Sequence, residues 1–364
     1  MDRRLTRKVC VGNKQLGGGS PILIQSMTNT KTADVKATAA QIQELQKVGC
    51  EMVRVAVSDY QEAASIAEIK KQIKIPLVAD IQWNYRLALV CIENGIDKIR
   101  LNPGILPRKE QVTSVVKACK ERNIPIRVGV NSGSVSEKTR QKYGGICAEA
   151  LIASAYEHIA VLEDLDFRDI VVSLKASDLF TCMEAYQKFS QRFDYPLHIG
   201  ITEAGTIRRG SIKSAIGIGA LLMQGIGDTI RVSLTGNPVE EIEAAKDILS
   251  VLKLRQNEVN FVSCPTCSRT EIDLIGIASE VEKRTANLGF PLHIAVMGCP
   301  VNGPGEARDA DIGIAGGKGR GIIFKKGKVL RQVAEKDLVV ELMKEIEGMK
   351  AGKKAGKERA DDFS

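Results

Sequence analysis

Four side chains in the last third of the sequence have the types and the spacing of a metal centre. Cys264 and Cys267 form a Cys-Pro-Thr-Cys motif, which places two thiols within reach of one centre. Cys299 follows a predicted strand, and a Gly/Pro-rich loop leads from it to Glu306, so that this carboxylate can return to the same centre. Thiolates favour iron–sulfur clusters or zinc. The spacing therefore predicts a metal site.

An iron–sulfur cluster fits this pattern better than zinc. Structural zinc sites usually recruit a second close pair of Cys or His, whereas this sequence has one CxxC motif. Three thiolates and one weaker oxygen ligand suit a cluster with one chemically distinct iron. The alternative is a redox-active thiol pair, with Cys299 merely buried. The remaining cysteines are predicted to be small core residues: Cys10, Cys50, Cys91, Cys119, Cys147 and Cys182.

A second set of candidates consists of polar side chains at or near the C-terminal ends of predicted strands. They are Arg54, Asp80, Arg100, Asn102, Arg127, Asn131, Lys175, Glu203, Arg231 and Ser233. Active sites of α/β barrels form at that face. A buried cation costs on the order of several kcal/mol unless it is paired, so five cations with two acids predict a missing anion. A diphosphate fits, because arginine binds phosphate bidentately. The alternative is that some of these residues brace the barrel through internal ion pairs.

The elements that position these residues alternate between short β-rich runs and amphipathic stretches such as 34–48. The predicted strands are Ile22–Ser26, Met52–Val57, Leu77–Ile81, Lys98–Asn102, Ile126–Asn131, Ile170–Lys175, Leu197–Thr202 and Thr229–Leu234. Eight strands with intervening helices predict a (β/α)8 TIM-type barrel. A doubly wound open sheet is the competing topology.

The alternation breaks near residue 255, which predicts a division into three parts. Residues 1–254 form the barrel and bind the substrate. Residues 255–349 form a smaller α+β cluster domain with a helix (272–288), a strand (292–297), a hairpin (310–325) and a closing helix (338–349). Residues 350–364 are rich in Lys and Gly and are predicted to be a disordered basic tail.

Composition narrows the class of protein. The 364 residues include nine cysteines, lack a predicted signal peptide and lack an apolar run long enough for a membrane span. We therefore expect a cytoplasmic protein whose cysteines are thiols or metal ligands. The formal charge of +8 is modest and dispersed; it suits an anionic substrate or an acidic partner rather than nucleic acid or a membrane. A complete P-loop or dinucleotide-binding motif is absent.

Five motifs together resemble one family. They are Gln25-Ser26-Met27-Thr28-Asn29-Thr30, Gly129-Val130-Asn131, Gly200-Ile201-Thr202-Glu203-Ala204-Gly205, Cys264-Pro265-Thr266-Cys267-Ser268-Arg269 and Val301-Asn302-Gly303-Pro304-Gly305-Glu306. They resemble the bacterial 4-hydroxy-3-methylbut-2-en-1-yl diphosphate synthases of the methylerythritol phosphate route to isoprenoids. The resemblance covers about residues 5–345, in order.

The resemblance implies an oxidoreductase that opens 2-C-methyl-D-erythritol 2,4-cyclodiphosphate with two electrons, giving 4-hydroxy-3-methylbut-2-enyl diphosphate and water. It implies a 4Fe–4S cluster, a homodimer whose cluster domain closes over the partner's barrel, and a flavodoxin or ferredoxin as electron donor. Glu203 matches the essential barrel carboxylate. The cluster ligands match Cys264, Cys267, Cys299 and Glu306, and the diphosphate-binding positions match Arg54, Arg100, Arg127, Asn131, Lys175, Arg231 and Ser233.

Two departures from the family pattern touch barrel-mouth loops. In one, Asn102-Pro103-Gly104 is followed by Ile105-Leu106-Pro107, where a polar residue is commoner in the family. The other lies farther towards the N-terminus. After Asp80-Ile81 the family has a histidine, an aromatic residue and an acid, where this chain has Gln82, Trp83 and Asn84. Two other functions fit the residues: a cluster-dependent reductase or lyase acting on another phosphorylated metabolite, and an electron-transfer protein that uses the barrel as a partner platform. The cation set argues against the second, because a carrier needs no diphosphate pocket.

Overall fold

The structure, a computed structural model, describes residues 2–81, 84–101, 109–255, 259–286, 288–299 and 307–361; for residue 109 and residues 352–361 it describes the backbone only. The chain divides into two compact units, Met1–Leu254 and Arg255–Ser364. In the described residues, no helix combines the length and the apolar character needed to cross a membrane.

The first unit is a closed barrel of parallel strands. Its strands are β3 (Leu23–Met27), β4 (Met52–Val57), β5 (Leu77–Ile81), β6 (Lys98–Leu101), β7 (Ile126–Asn131), β8 (Ile170–Lys175), β9 (His198–Ile199) and β10 (Thr229–Ile230). They pair in the order β8-β7-β6-β5-β4-β3-β10-β9. A parallel bridge between Val172 and Leu197 joins the two ends of this order. The predicted (β/α)8 barrel is confirmed, and the open doubly wound sheet was the wrong alternative.

Six of the eight predicted strands agree with the structure to within one residue at each end, and the last two are shorter than predicted. The seventh ends at Ile199 because the chain bends away soon afterwards: Glu203 has a φ of 52°, a left-handed value incompatible with an extended strand. The eighth ends at Ile230, although the Arg231 N–H still donates to the Ile199 carbonyl at 3.0 Å.

Helices surround the barrel. They are α1 (Val35–Lys47), α2 (Tyr60–Gln72), α3 (Tyr85–Glu93), α4 (Lys109–Arg122), α5 (Glu137–Tyr143), α6 (Ala148–Asp164), α7 (Leu179–Arg192), α8 (Ile207–Met223) and α9 (Pro238–Val251). Side-chain caps fix where several begin: Asp34 and Asp59 each accept a backbone N–H of the first turn, at 3.0 and 2.8 Å. Asn84, where the family has an acid, caps α3 in the same way at 3.0 Å.

A hairpin that the sequence analysis missed covers one end of the barrel. Strands β1 (Val9–Val11) and β2 (Lys14–Leu16) pair antiparallel. Their apolar side chains form one buried cluster with residues near the amino ends of four barrel strands. The cluster contains Val9, Val11, Leu16, Leu23, Met52, Val78 and Val171. The amino-terminal end of the barrel is therefore filled with apolar side chains, which leaves the other end for polar chemistry.

In its described residues, the second unit is a five-stranded sheet with two α-helices. Its strands are β11 (Val259–Ser263), β12 (Leu292–Met297), β13 (Ile312–Gly317), β14 (Arg320–Lys325) and β15 (Lys328–Ala334), in that spatial order. The first three are parallel and the last two antiparallel. Helix α10 (Leu274–Thr285) and helix α11 (Leu338–Asp361) complete the unit. The predicted strand, hairpin and two helices are all present, whereas β11 and β15 were missed.

The predicted disordered tail is wrong for residues 350–361, which continue helix α11 to Asp361. This segment alternates Lys, Ala and Glu with two glycines. Lys, Ala and Glu are strong helix formers, and extending an existing helix avoids the costly nucleation step. Composition alone pointed to disorder because the tail is rich in Lys and Gly, but the preceding buried turns, with Leu342 and Ile346, supply the nucleus.

Candidate functional site

Side chains of alternate strand residues point into the barrel and form stacked layers above the apolar end. We call the deeper inward-facing polar residues the middle layer: Gln25, Lys98, Arg127, His198 and Thr229. We call those nearer the carboxyl ends of the strands the upper layer: Arg54, Asp80, Arg100, Ser173, Lys175 and Arg231. Both layers are almost closed to solvent: Lys98 and His198 are 0% exposed, Arg127 is 2% and Lys175 is 6%.

The middle layer is held by few polar contacts. Arg127 donates through Nη1 to Ser173 Oγ at 2.8 Å, and His198 Nδ1 lies 2.8 Å from Thr229 Oγ1. The Nε and Nη2 atoms of Arg127 and the Nε2 atom of His198 are buried without a hydrogen-bond partner among the described residues. Burial, followed by the nearby Arg100 charge, lowers the pKa of Arg127 to about 9. Buried polar groups without partners at a strand-end layer indicate a site for a ligand.

Asp80 pairs with two arginines of the upper layer. Its Oδ1 accepts from Arg100 Nη1 at 2.9 Å, and its Oδ2 lies 3.8 Å from Arg54 Nε. Burial works to raise the pKa of Asp80, but the charges of Arg54, Arg100 and Arg127 outweigh it, so the pKa lies below its usual value. Asp80 therefore stays ionised and braces two cations. For Arg54 and Arg100, the structure therefore agrees with the alternative that these cations brace the barrel through internal ion pairs.

Glu241 on α9 is a second buried carboxylate of this region, and the sequence analysis missed it. Its Oε2 accepts from Ser26 Oγ at 2.9 Å and lies 3.9 Å from Arg231 Nε. Its Oε1 accepts the Leu234 N–H at 3.0 Å. One carboxylate thus links β3, the β10–α9 loop and a cation of the upper layer. A helix residue among several acids gives no sequence signal for this role.

Two inward-facing glycines leave room for the cations. A Cβ on Gly200 would lie 2.5 Å from the Arg231 carbonyl oxygen and 3.0 Å from Lys175 Nζ. A Cβ on Gly129 would lie 3.0 Å from Arg100 Nε. A methyl group at either position would push a cation or the backbone out of place. The glycines of the two family-like motifs are therefore part of the site.

The charge of the region does not balance within the described residues. Five cations, Arg54, Arg100, Arg127, Lys175 and Arg231, face two carboxylates, Asp80 and Glu241. Burial, with the Arg231 charge next, lowers the pKa of Lys175 well below its usual value. Burial likewise lowers the pKa of Arg54 and of Arg231. An anion bound here would relieve this repulsion.

The remaining predicted barrel residues lie around this cluster at different depths. Asn131 ends β7, half-buried and in register with Lys175. Ser233 is half-buried just past β10. Glu203 was expected at a strand end among cations; instead it is exposed, beyond the end of β9, and makes no ion pair within the described part of the chain. Asn102 lies outside the described residues.

In the second unit, two neighbouring parallel strands bring two predicted ligands to the same edge of the sheet. Cys264 follows β11 directly, and Cys299 comes two residues after the end of β12. The two strands are in register, with Ser263 of β11 paired with Val296 of β12. The Cys264 N–H donates to the Val296 carbonyl at 3.3 Å, and the Gly298 N–H donates to Cys264 Sγ at 3.1 Å. Cys299 is buried. An N–H aimed at sulfur is suited to a thiolate, whose charge it stabilises.

Cys267 lies in the turn that follows. It is exposed, its N–H donates to Thr270 Oγ1 at 3.2 Å, and the Thr270 N–H donates back to its carbonyl at 3.0 Å. Hydrogen bonding from the Arg269 backbone, then from its side chain, lowers the pKa of the Cys267 thiol. By contrast, burial raises the pKa of Cys91 in the barrel to about 12. We refer to Cys264, Cys267 and Cys299 as the cysteine edge.

The cysteine edge fits an iron–sulfur cluster in donor type and in sheet position. Within the described residues, no three Cys, His, Asp or Glu side chains are close enough together to hold a single metal ion. Glu306, the predicted fourth ligand, lies outside the described residues. All nine cysteines are free thiols. Of the six expected in the core, Cys50, Cys91, Cys119 and Cys182 are buried and Cys147 is partly buried, but Cys10, on the hairpin, is exposed.

Comparison with known families gives two matches that together span most of the chain. The GcpE TIM-barrel domain matches residues 6–246, and the GcpE protein C-terminal domain matches residues 260–348. Among curated relatives, the 4-hydroxy-3-methylbut-2-en-1-yl diphosphate synthase (flavodoxin) of Clostridium perfringens is 58% identical over 347 residues, covering 95% of this chain and 99% of that protein. The protein of the same name from Caldanaerobacter subterraneus subsp. tengcongensis is also 58% identical, over 95% of this chain and 98% of its own.

Solved structures of other enzymes share the barrel. Dihydropteroate synthase from Stenotrophomonas maltophilia superimposes with a TM-score of 0.52 at 13% identity, covering 68% of this chain and 97% of that chain. A type I 3-dehydroquinate dehydratase from Clostridium difficile gives a TM-score of 0.50 at 14% identity, covering 68% and 98%. At this level of identity the likeness concerns the fold alone.

Proposed function

The chain belongs to the GcpE family, and from that premise we propose that it reductively opens 2-C-methyl-D-erythritol 2,4-cyclodiphosphate to 4-hydroxy-3-methylbut-2-enyl diphosphate and water. Relatives at 58% identity over nearly their full length carry the name of this synthase. The observation in the molecule that carries the proposal is the excess of buried cations over carboxylates in the barrel. A diphosphate is the kind of ligand that this excess accommodates.

The first unit binds the substrate. The residues proposed to hold the diphosphate are Arg54, Arg100, Asn102, Arg127, Asn131, Lys175, Arg231 and Ser233. Arginine and lysine donors placed before the substrate arrives bind its phosphates without reorganising, and that binding energy fixes the reacting carbons. Asp80 and Glu241 keep three of these guanidiniums in position.

The second unit, residues 255–349 in this proposal, holds a 4Fe–4S cluster through Cys264, Cys267, Cys299 and Glu306. When bound there, the cluster would pass the two electrons of the reaction, one at a time, from the external donor to the substrate. Thiolates are the usual ligands of such clusters, and the Gly298 N–H bond to Cys264 Sγ supports that assignment. The electron donor is a flavodoxin, the carrier printed in the names of the relatives.

Glu203 is proposed to deliver the proton with which the leaving hydroxyl departs as water. Its φ of 52° is unusual for a residue other than glycine, and strained backbone of this kind gathers at active sites. Its exposed position and lack of an ion pair in the described residues leave the carboxylate able to meet a bound substrate. A proton donor needs that reach.

We further propose a homodimer in which the second unit of one subunit completes the barrel site of the other. An apolar groove between α8 and α9, about 610 Å³ in volume, supports a protein interface. Ile212, Ile216 and Met223 on α8 and Val251 on α9 are more than half exposed there. The charged residues that line the groove are acids of α9: Glu240, Glu243 and Asp247. Pairing of two copies about a two-fold axis at this groove would bury the exposed apolar side chains of both.

Turnover under anaerobic conditions tests the proposed reaction. The reconstituted protein is supplied with the cyclic diphosphate and a reduced flavodoxin, and the product is identified by mass. We expect the hydroxylated butenyl diphosphate, and no product when either the reductant or the iron is withheld. A protein that passes electrons but leaves the cyclic diphosphate intact would be an electron carrier, and the proposal would be wrong.

A further inference from the structure

Lys98 is a buried lysine that neither the family resemblance nor the proposed reaction uses. It lies on β6 two residues before Arg100, so both side chains point into the barrel, Lys98 one layer deeper. The side chain is 0% exposed. Its Nζ lies 3.4 Å from Gln25 Oε1 and 2.9 Å from Met52 Sδ. No carboxylate pairs with it within the described ranges.

The titratable and charged groups that face Lys98 are all cations or bases. Arg54 approaches from β4, Arg127 from β7 and His198 from β9. Burial first, then the Arg127 and Arg54 charges, lowers the pKa of Lys98 well below its usual value. The same effects lower the pKa of His198. A guanidinium keeps its proton under such pressure, whereas an ammonium releases it readily.

We propose that Lys98 is a positioning residue of the anion site. It is neutral in the free barrel and takes up a proton from solvent when the diphosphate binds above it. This inference rests on the proposed diphosphate substrate. The bound anion offsets the cation repulsion that drove the proton off. The added charge then attracts the diphosphate from below, without contact between Lys98 and the ligand. Burial between Gln25 and Met52 keeps Lys98 out of reach of the phosphates.

This coupling has a definite sign. Binding raises the pKa of Lys98 from its lowered value in the free protein. Between the two values, the free protein must gain a proton in order to bind, so the dissociation constant increases with pH by about tenfold per pH unit for each linked proton. Below both values or above both values, Lys98 adds no pH dependence. Lys175, with a pKa lowered by the same causes, adds its own share in the wild type.

Calorimetry on the intact protein with its oxidised cluster, without an electron donor, measures the proton directly. The cyclic diphosphate is titrated in two buffers of different ionisation enthalpy at the same pH, and the difference in heat gives the protons taken up. We expect uptake by the wild type and about one proton less for Lys98→Met, which keeps the shape of a neutral lysine. The dissociation constant of the variant should vary less steeply with pH.

Two variants control the measurement. Lys117→Met removes an exposed lysine of α4 and should keep the wild-type uptake. His198→Asn tests the neighbouring base and should keep it as well. If Lys98→Met does not fold, Lys98→Gln replaces it; a role confined to folding would change stability and leave the proton count of either folded variant unchanged.

The outcomes separate this inference from the function on which it rests. Binding without proton uptake by the wild type overturns the role of Lys98 and leaves the substrate assignment intact. Uptake that is unchanged in Lys98→Met, or that disappears in His198→Asn, also overturns it. Absence of binding by the wild type overturns the substrate assignment, and the role of Lys98 with it.

Discussion

The barrel cations lie on neighbouring strands of one closed sheet, and Arg54, Asp80 and Arg100 have side chains only 8–11% exposed. The cysteine edge lies in loops after two strands, and its members range from buried Cys299 to exposed Cys267. In the barrel, ladder hydrogen bonds and packing set each position. At the cysteine edge, hydrogen bonds hold two of the sulfurs: the Gly298 N–H donates to Cys264 Sγ, and Arg269 donates to the exposed Cys267 thiol.

The two regions therefore differ in when their side chains become ordered for function. The barrel gathers like charges before any ligand arrives, so folding bears the electrostatic cost and the ligand gains the benefit. A cluster forms covalent bonds to its ligands, so loops that are loosely held can be organised by metal binding itself. We therefore expect variants of the barrel to act on affinity and stability, and variants of the cysteine edge to act on metal content.

The largest expected effect is at the cysteine edge. Replacing Cys264, Cys267 or Cys299 by Ser should remove most of the iron and all of the activity, because a hydroxyl is a poor substitute for a thiolate ligand. Iron content after anaerobic reconstitution measures this directly. Cys10→Ser, at an exposed cysteine of the hairpin, is the matched control and should keep iron and turnover. Zinc in place of iron would refute the cluster assignment.

The next largest expected effect is a loss of stability when Asp80, which pairs with two of the barrel cations, is replaced. Asp80→Asn leaves Arg54 and Arg100 buried without their carboxylate, and breaking such a pair costs about 3–5 kcal/mol. Because the pKa of Asp80 is lowered in the fold, its stabilisation is present above the ordinary carboxyl range and is lost as pH falls through the folded-state pKa. Urea unfolding should therefore show a deficit at neutral pH that shrinks in acid. An equal deficit at both pH values would contradict the charge argument.

A substitution at Arg127 tests substrate affinity separately from the cluster. Arg127→Ala should weaken binding of the cyclic diphosphate by about ten- to a hundredfold, the value of one charge-assisted contact at about 1.5–3 kcal/mol. The cluster spectrum should remain that of the wild type. Arg122→Ala, at an exposed arginine of α4, should leave binding unchanged. If Arg127→Ala binds as tightly as the wild type, Arg127 serves only to brace the barrel.

The smallest expected effect is a difference in protein stability between alanine substitutions at two glycines. Gly200→Ala places a methyl group 2.5 Å from the Arg231 carbonyl oxygen and should destabilise the protein by about 1–3 kcal/mol. Gly219→Ala, on α8, meets nothing within 4 Å and should stabilise the helix by up to about 1 kcal/mol in the monomer. Thermal unfolding compares them. Equal shifts of the same sign would show that the barrel mouth tolerates a side chain at Gly200.

Sequence reasoning predicted the parts of this molecule that local patterns determine. The alternation of β-rich runs with amphipathic stretches predicted the barrel, and the CxxC motif pointed to the cysteine edge. It missed Lys98 and Glu241, because their roles come from contacts across the barrel that local spacing does not encode. It also placed Glu203 among the cations, because the apolar run before this residue gives no sign that the backbone adopts a left-handed conformation there.

In the proposed function, the barrel and the cysteine edge are two halves of one catalytic site, completed across a dimer. The most direct test mixes Arg127→Ala with Cys299→Ser, at a substrate concentration too low for Arg127→Ala alone to turn over and under conditions in which tagged subunits are shown to exchange. A heterodimer then contains one site with an intact barrel and an intact cluster. Random exchange should restore about a quarter of the wild-type activity. No recovery after demonstrated exchange would contradict closure between subunits.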